Sequence, residues 1–409
     1  MTATSQFSYR STRNMRNRAV LALSISALLA AAGASVALNN APAAQALPAA
    51  HESSPSMVPQ TNFHDGPAPA GPAGRIYMPN PGENAVRVYD SATNQLLKSI
   101  PTGGGHGRPG VIAKSHDDKK LYVDNFRHFP ATVTVIDRSK NDATKEISVY
   151  SAPLGIFSSN DGKEIYVPEE GGMVEIIDVE TDKVVRQLRF PDIPVGAIAG
   201  PDGLMYIGFG SGYMAGVDPQ TGKIVKPAIH LGGIGAFWYS FNADGTKMYA
   251  DVVNSLAIVD MEKWQVVNRL HTAPDQKYNV SNPGAFISTL NPDGSRLYVS
   301  QFGRANVLVV DTATDKIIKE IPTSGFQTGI EFSPDGSRGY ISDMGPDSLP
   351  WKGPIGEITL FGKLISWGDT GPNQIVVFDP KSDNVLGVID NGSEGVGVPA
   401  VVGLPQDWK

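Results

Sequence analysis

The stretch "PDGSRLYVSQFGRANVLVVDTATDKIIKEI", Pro292–Ile321, carries three signals in quick succession. An Asp-Gly turn leads into a strand that opens Leu-Tyr-Val. A second apolar strand ends in Asp311, and a Thr-Asp-Lys turn leads into a third strand, "KIIKEI". Gly supplies the positive φ that tight hairpins need, and Asp bonds its own backbone in turns, so the three strands read as consecutive antiparallel hairpins. The same beats recur along the chain. An apolar residue followed by tyrosine appears at Tyr77, Tyr122, Tyr166, Tyr206, Tyr249 and Tyr298, with a weaker copy at Tyr340; the spacings are 45, 44, 40, 43, 49 and 42. Behind each tyrosine a hydrophobic strand ends in aspartate, at Asp90, Asp137, Asp178, Asp218, Asp260, Asp311 and Asp379. Before it stands a turn such as "NDGKE" (160–164), "ADGTK" (243–247) or "PDGSR" (334–338).

Each unit therefore holds four short antiparallel strands in about 40–50 residues, the size of a propeller blade. No long helical periodicity interrupts the repeat, and 336 residues from Gly74 onward exceed what one simple core organises. Stacking sheets around an axis solves that problem, because each blade buries its apolar faces on its neighbours. The sequence predicts an all-β, seven-bladed β-propeller over 74–409. The first copy begins at its second strand, "GRIYMPN" (74–80), whereas the last is followed by a surplus strand, "GVPAVVGLP" (397–405). The C-terminal strand is expected to supply the innermost strand of the N-terminal blade and close the ring.

The "LYVS…VLVVDTATDKIIKEI" pattern resembles the YVTN-repeat β-propellers, a family that includes YncE-like periplasmic proteins and surface-layer propellers. The resemblance covers about residues 74–405. Related seven-bladed propellers include amine dehydrogenase heavy subunits, lactonases and streptogramin lyases. The resemblance thus implies a scaffold, not a reaction.

Outside the repeat, Arg10, Arg13, Arg16 and Arg18 precede an apolar run from Ala19 to Leu38, and Ala44-Gln45-Ala46 fits a cleavage site. Residues 1–46 are read as a Sec-type signal peptide, with Met15 a plausible true start, and the protein as exported. An uncleaved anchor is the alternative, since the run is about long enough to span a bilayer. After cleavage no stable membrane span is expected. Residues 47–73 are proline-rich and read as a linker. The chain contains no cysteine, which excludes disulfides, thiolate metal sites and thiol nucleophiles. Residues 1–46 hold four arginines and no acidic residue or lysine, so removing them takes the formal charge from −7 to −11. Such an acidic chain is a poor candidate for nucleic acid. A monomer is expected, and no cofactor is predicted.

Chemistry is expected where the b–c loops and the connections between blades converge on a central funnel, strands being lettered a to d outward from the axis. The segment "GGGHGRPG" (103–110) contains a formal G-x-G-x-x-G, but a strand follows it where a dinucleotide fingerprint needs a helix. Its glycines read as backbone accommodation, leaving His106 and Arg108 to project near the funnel. The b–c loop "NFRHFP" (125–130) adds Arg127 and His128. Glu169, Glu170, Tyr278, Arg304 and Asp343 are further ligand-binding candidates, with His271 on the same connection as Tyr278. Trp351 belongs to a long insertion, 345–372, that reads as a lid. His106 and His128 are the candidate acid–base residues.

No H-x-H or H-E-x-x-H spacing supports zinc, "DNGSEG" (390–395) misses the calcium ligand spacing, and no G-x-S-x-G elbow occurs. No metal is therefore predicted. The leading functional expectation is a binding or interaction module for a small molecule, protein or cell-surface partner at the funnel face. The alternatives are a lyase or hydrolase using the same groups, with His106 or His128 as base and Arg108 or Arg127 steadying an anion, and the propeller subunit of a quinone-dependent dehydrogenase.

Overall fold

The blade-forming repeat folds as its turns dictate. The computed structural model describes residues 61–404 except 234, 253–254, 273–283, 303, 349–371 and 393–394. The expected signal peptide, the first part of the expected linker, Tyr278, Trp351 and nearly all of the insertion lie outside the described residues. Seven four-stranded antiparallel sheets form a ring, and the described residues include only two short 3-10 turns, Gly103–Gly105 and Pro346–Ser348. Blade one contains Ala400–Gly403, Gly74–Asn80, Ala85–Asp90 and Gln95–Pro101 in that spatial order. The C-terminal strand thus closes the ring: Gly403 lies opposite Gly74 and Ala400 opposite Tyr77. This pairing removes the open inner edge that Gly74–Asn80 would otherwise expose.

Every c–d hairpin uses one device. Its turn holds a residue at positive φ: Asn94, Asn141, Asp182, Gly222, Trp264, Asp315 or Asp383. Beside each turn the pairing register slips by one residue, a bulge that adds twist to the outer strand. Asn and Asp tolerate this left-handed conformation better than most residues, which explains why the turn text repeats.

The repeated tyrosines connect the blades. Tyr122 donates its hydroxyl hydrogen to Asp182 Oδ1 of the next blade at 2.5 Å, and Lys120 Nζ reaches the same carboxylate at 2.9 Å. Tyr249 and Lys247 meet Asp315 at 3.0 and 2.8 Å; Tyr298 and Arg296 meet Asp383, both at 2.6 Å. Tyr77 donates to Asn141 at 2.7 Å. The rings are buried, so each of these four tyrosines combines apolar packing between sheets with a satisfied hydroxyl. Burial and the adjacent carboxylates raise the tyrosine pKa values, which keeps the hydroxyls as donors.

The described part of the proline-rich segment lies against the propeller. Pro67 pairs with Val388 on the outer strand of blade seven, and Thr61 N donates to the Glu320 carbonyl of blade six. Asn94 Nδ2 then holds the carbonyls of Ala68 and Pro69 at 2.9 and 3.0 Å. Residues 61–73 therefore run as a strap across three blades on either side of the closure.

Apolar side chains meet at the axis. Phe286, from the inner strand of blade six, packs against the core of blades seven and one and also against that of blades two and three. It stands 5.9 Å from Phe237 and 5.4 Å from Phe326 between ring centres. Ile287 and Val398 join the core of blades two and three from elsewhere in the ring, and Trp238 of blade five lies 5.0 Å from Phe157 of blade three. These contacts cross the ring near the start of the inner strands and give the funnel a closed, aromatic floor.

Candidate functional site

The connection from blade one to blade two and the b–c loops of blades two and three lie at one end of the ring, because all of them join strand ends of the same polarity. In the first, the carbonyl of Thr102 accepts from the backbone N–H groups of Gly105, His106 and Gly107. Gly103, Gly104 and Gly105 take φ of +55, +63 and +84 degrees, a conformation that disfavours side chains. At Gly107 the constraint is space: a Cβ there would sit 2.3 Å from both Asn125 Oδ1 and Thr102 Oγ1. The next element is the strand Pro109–Lys114, as expected for a blade crossing and not for a nucleotide loop. The glycines accommodate backbone.

This loop leaves His106 exposed and half-buries Arg108, which itself adopts φ +63. Arg127, from the b–c loop of blade two, donates Nη1–H to the His106 carbonyl at 2.7 Å. His128 follows, its Nδ1 2.7 Å from Glu170 Oε1 in the corresponding loop of blade three. The hydrogen bond to Glu170 raises the His128 pKa against the opposing effect of partial burial, and the charge of Glu170 adds to it. Nδ1–H is then the donor of a partly buried ion pair. His128 Nε2 is shielded from solvent and has no hydrogen-bond partner. The fold thus brings His106, Arg127, His128 and Glu170 together.

Other predicted residues hold the backbone. Asp343 is fully buried: Oδ2 accepts from Ser324 N, Ser324 Oγ and Gln374 Nε2 at 2.7, 2.8 and 2.9 Å, and Oδ1 from Gly345 N at 3.0 Å. Glu169 Oε2 accepts from the backbone N–H and the hydroxyl of Ser151. Burial, then the charge of neighbouring Glu175, raises the Glu169 pKa. Arg304 lies on blade six, three blades from His128 around the ring, and its carbonyl accepts from Gln327 Nε2 at 2.8 Å. His271 ends the outer strand Gln265–His271 of blade five, away from the blade two loops.

Two buried carboxyls were not singled out from the sequence. Asp124 Oδ1 accepts from Gly110 N and Val111 N at 3.0 and 2.6 Å, and burial pushes its pKa up to about 7. Asp251 is also fully buried and likewise raised to about 7 by desolvation. Ser288 lies beside it and opposes the shift slightly, but neither Asp251 oxygen reaches hydrogen-bond geometry. Aligning the repeats would have flagged both. Two residues after the repeat tyrosine the blades carry Pro79, Asp124, Pro168, Gly208, Asp251, Ser300 and Ser342, so a carboxyl there is out of pattern. Among the described residues no group of three or more His, Asp or Glu is placed to hold a metal ion. No helix among them is long and apolar enough to cross a membrane.

The ring of four-stranded blades defines the class of protein: a seven-bladed β-propeller. No protein-family model and no curated protein sequence matches the chain. Solved structures do. Hydrazine synthase of Kuenenia stuttgartiensis aligns with 21% identity and a TM-score of 0.57, covering 72% of this chain and 95% of that one. A functionally unknown protein from Desulfotomaculum acetoxidans aligns at 15% identity and TM-score 0.61, covering 81% and 100%. The dihydro-heme d1 dehydrogenase NirN, solved in complex with DHE, aligns at 14% and 0.55, covering 83% and 79%. At these identities the likeness shows the fold alone.

Proposed function

We propose that the chain is an exported propeller of the YVTN type that binds a small anionic molecule, or an anionic group of a larger partner, at the funnel loops of blades two and three. The observation that carries this reading is the convergence of Arg127 on the His106 carbonyl beside the His128–Glu170 pair. Arg127 makes no ion pair among the described residues, and His128 keeps one ring nitrogen unpaired. Guanidinium and imidazolium donors on rigid loops above a closed floor suit an oxyanion. The enzyme alternative has one specific observation in its favour, since an imidazole oriented by a carboxylate is the arrangement of an acid–base pair. The raised pKa of His128 favours its acid form, so a catalytic His128 would begin as a proton donor.

Thermal-shift and calorimetric titration of the chain from residue 47 onward, against small carboxylates and phosphate esters, tests the binding reading. His106→Ala/His128→Ala together and Arg127→Ala should each weaken a hit by at least about tenfold. Unchanged affinity in all variants would refute the site. Preserved binding with lost turnover of the same compound would select the enzyme reading.

A further inference from the structure

A second group of polar side chains lies between blades four and five, outside the site above. Arg269 belongs to the outer strand Gln265–His271 of blade five, opposite Ala257 on the neighbouring strand. In blades two, three and six this outer-strand position finds a partner within its own sheet. Glu146 accepts from Thr134 Oγ1 at 2.8 and 2.9 Å, Gln187 donates to Glu175, and Glu320 accepts from Asn306 Nδ2 at 2.9 Å. Ala257 offers Arg269 nothing. The guanidinium instead lies flat on Gly232 in the connection leaving blade four, so closely that a Cβ there would fall 1.7 Å from Cζ.

Arg269 Nε and Nη2 are both shielded from solvent and both lack an acceptor. Those two N–H groups form the edge of a guanidinium that grips two oxygens of a carboxylate or phosphate in parallel. Arg269 makes no ion pair with any described residue, so the Nε/Nη2 edge of this half-buried side chain is desolvated without compensation, at a cost to the fold. Beside it, His230 accepts from Gly232 N at 3.1 Å through Nδ1, which leaves its hydrogen on Nε2, and its ring packs edge-on against Tyr213 at 4.9 Å. The covering turn has glycines at 232, 233 and 235, with positive φ at 232 and 235.

We propose that the blade four–blade five junction is a second anion site, in which the Nε/Nη2 edge of Arg269 binds two oxygens of a carboxylate or phosphate group against the Gly232 turn. Burial and the Arg269 charge lower the pKa of His230, so Arg269 is the cation of the site near neutral pH.

The test compares wild type, Arg269→Met and Arg269→Lys in chloride buffer, titrated separately with inorganic phosphate and succinate. Wild type should show a saturable rise in Tm of roughly 2–5 °C at a hundredfold excess over Kd. Arg269→Met should lose the rise, and Arg269→Lys, lacking the fork, should keep only part of it. Arg269→Met should also match or exceed wild type in stability without added anion, because it removes two shielded N–H groups that have no acceptor. The Arg269 Nε–H signal of labelled wild type, assigned with the lysine variant, should shift along the same saturation curve. Response to phosphate alone, or to succinate alone, supports the proposal and assigns the oxyanion. An Arg269 signal unmoved by both anions overturns it, as does an unchanged Tm response in Arg269→Met. A response lost in Arg127→Ala but kept in Arg269→Met belongs to the blade two site and also overturns this one.

Discussion

Asp251→Asn removes a carboxyl that the fold holds away from water, and its effect on stability depends on pH in a calculable way. Asp251 titrates at about 7 in the folded protein, against 3.8 as its ordinary value, because burial penalises the charged form. Between those two values the folded chain keeps a proton that the unfolded chain has lost. Unfolding free energy must then fall as pH rises, with the stability fully present below about pH 4 and lost once the pH passes about 7. Each pKa unit is about 1.36 kcal/mol, so the whole shift corresponds to roughly 4 kcal/mol, of which roughly 3 kcal/mol lies between pH 4.5 and 8. Asparagine is neutral throughout and keeps nearly the same shape. Asp251→Asn should therefore equal or trail wild type at pH 4.5 and gain on it by roughly 3 kcal/mol at pH 8. Asp124 carries the same shift in both proteins, so the variant keeps a residual slope. Urea unfolding at pH 4.5, 6.5 and 8 with equal m-values measures this difference. Profiles that run parallel within about 0.5 kcal/mol would refute the reasoning, since the carboxyl would then titrate normally in the fold.

Four further sets of outcomes are expected. Tyr298→Phe removes a buried hydrogen bond to Asp383 and should lower stability by about 1–2 kcal/mol in urea unfolding. Tyr340→Phe should be neutral or slightly stabilising, because that buried hydroxyl has no partner. Gly107→Ala should disrupt the loop and weaken anion binding in calorimetry, since the methyl meets Asn125 and Thr102; Gly104→Ala, at φ +63 in open space, should lose only about 1 kcal/mol. Glu170→Gln should bring the His128 pKa down towards its ordinary value in an NMR titration. The ion pair's contribution to stability is present below that ordinary value and lost as pH rises through the raised one, so this variant should also flatten stability between the two.

The candidate site was legible only in part. His106, Arg127, His128 and Glu170 were visible because the repeat assigns them to loops at one end of the ring, and loops of one end converge whatever their sequence separation. Asp343 and Glu169 looked equally available in the text, yet both Asp343 oxygens and Oε2 of Glu169 are taken by nearby backbone N–H groups. That outcome depends on where the connecting chain passes. Arg269 shows the reverse: nothing in "QVVNRLH" distinguishes it from a solvated arginine. Its isolation arises because its cross-strand neighbour is alanine and a glycine of another blade covers it.

The sequence by itself determined the number of blades, the polarity of each strand and the closure of the ring. These follow from local rules, a turn that needs positive φ and an alternation that buries one face, repeated seven times. Tertiary structure alone decided which tyrosine meets which aspartate in the next blade, that aromatic side chains close the axis, and which charges stay unpaired. Those outcomes depend on distances between segments that the chain separates by 60 to 302 residues, as where Tyr122 meets Asp182 and Tyr89 meets Asn391. Local pattern carries no information about such distances until the blades are packed.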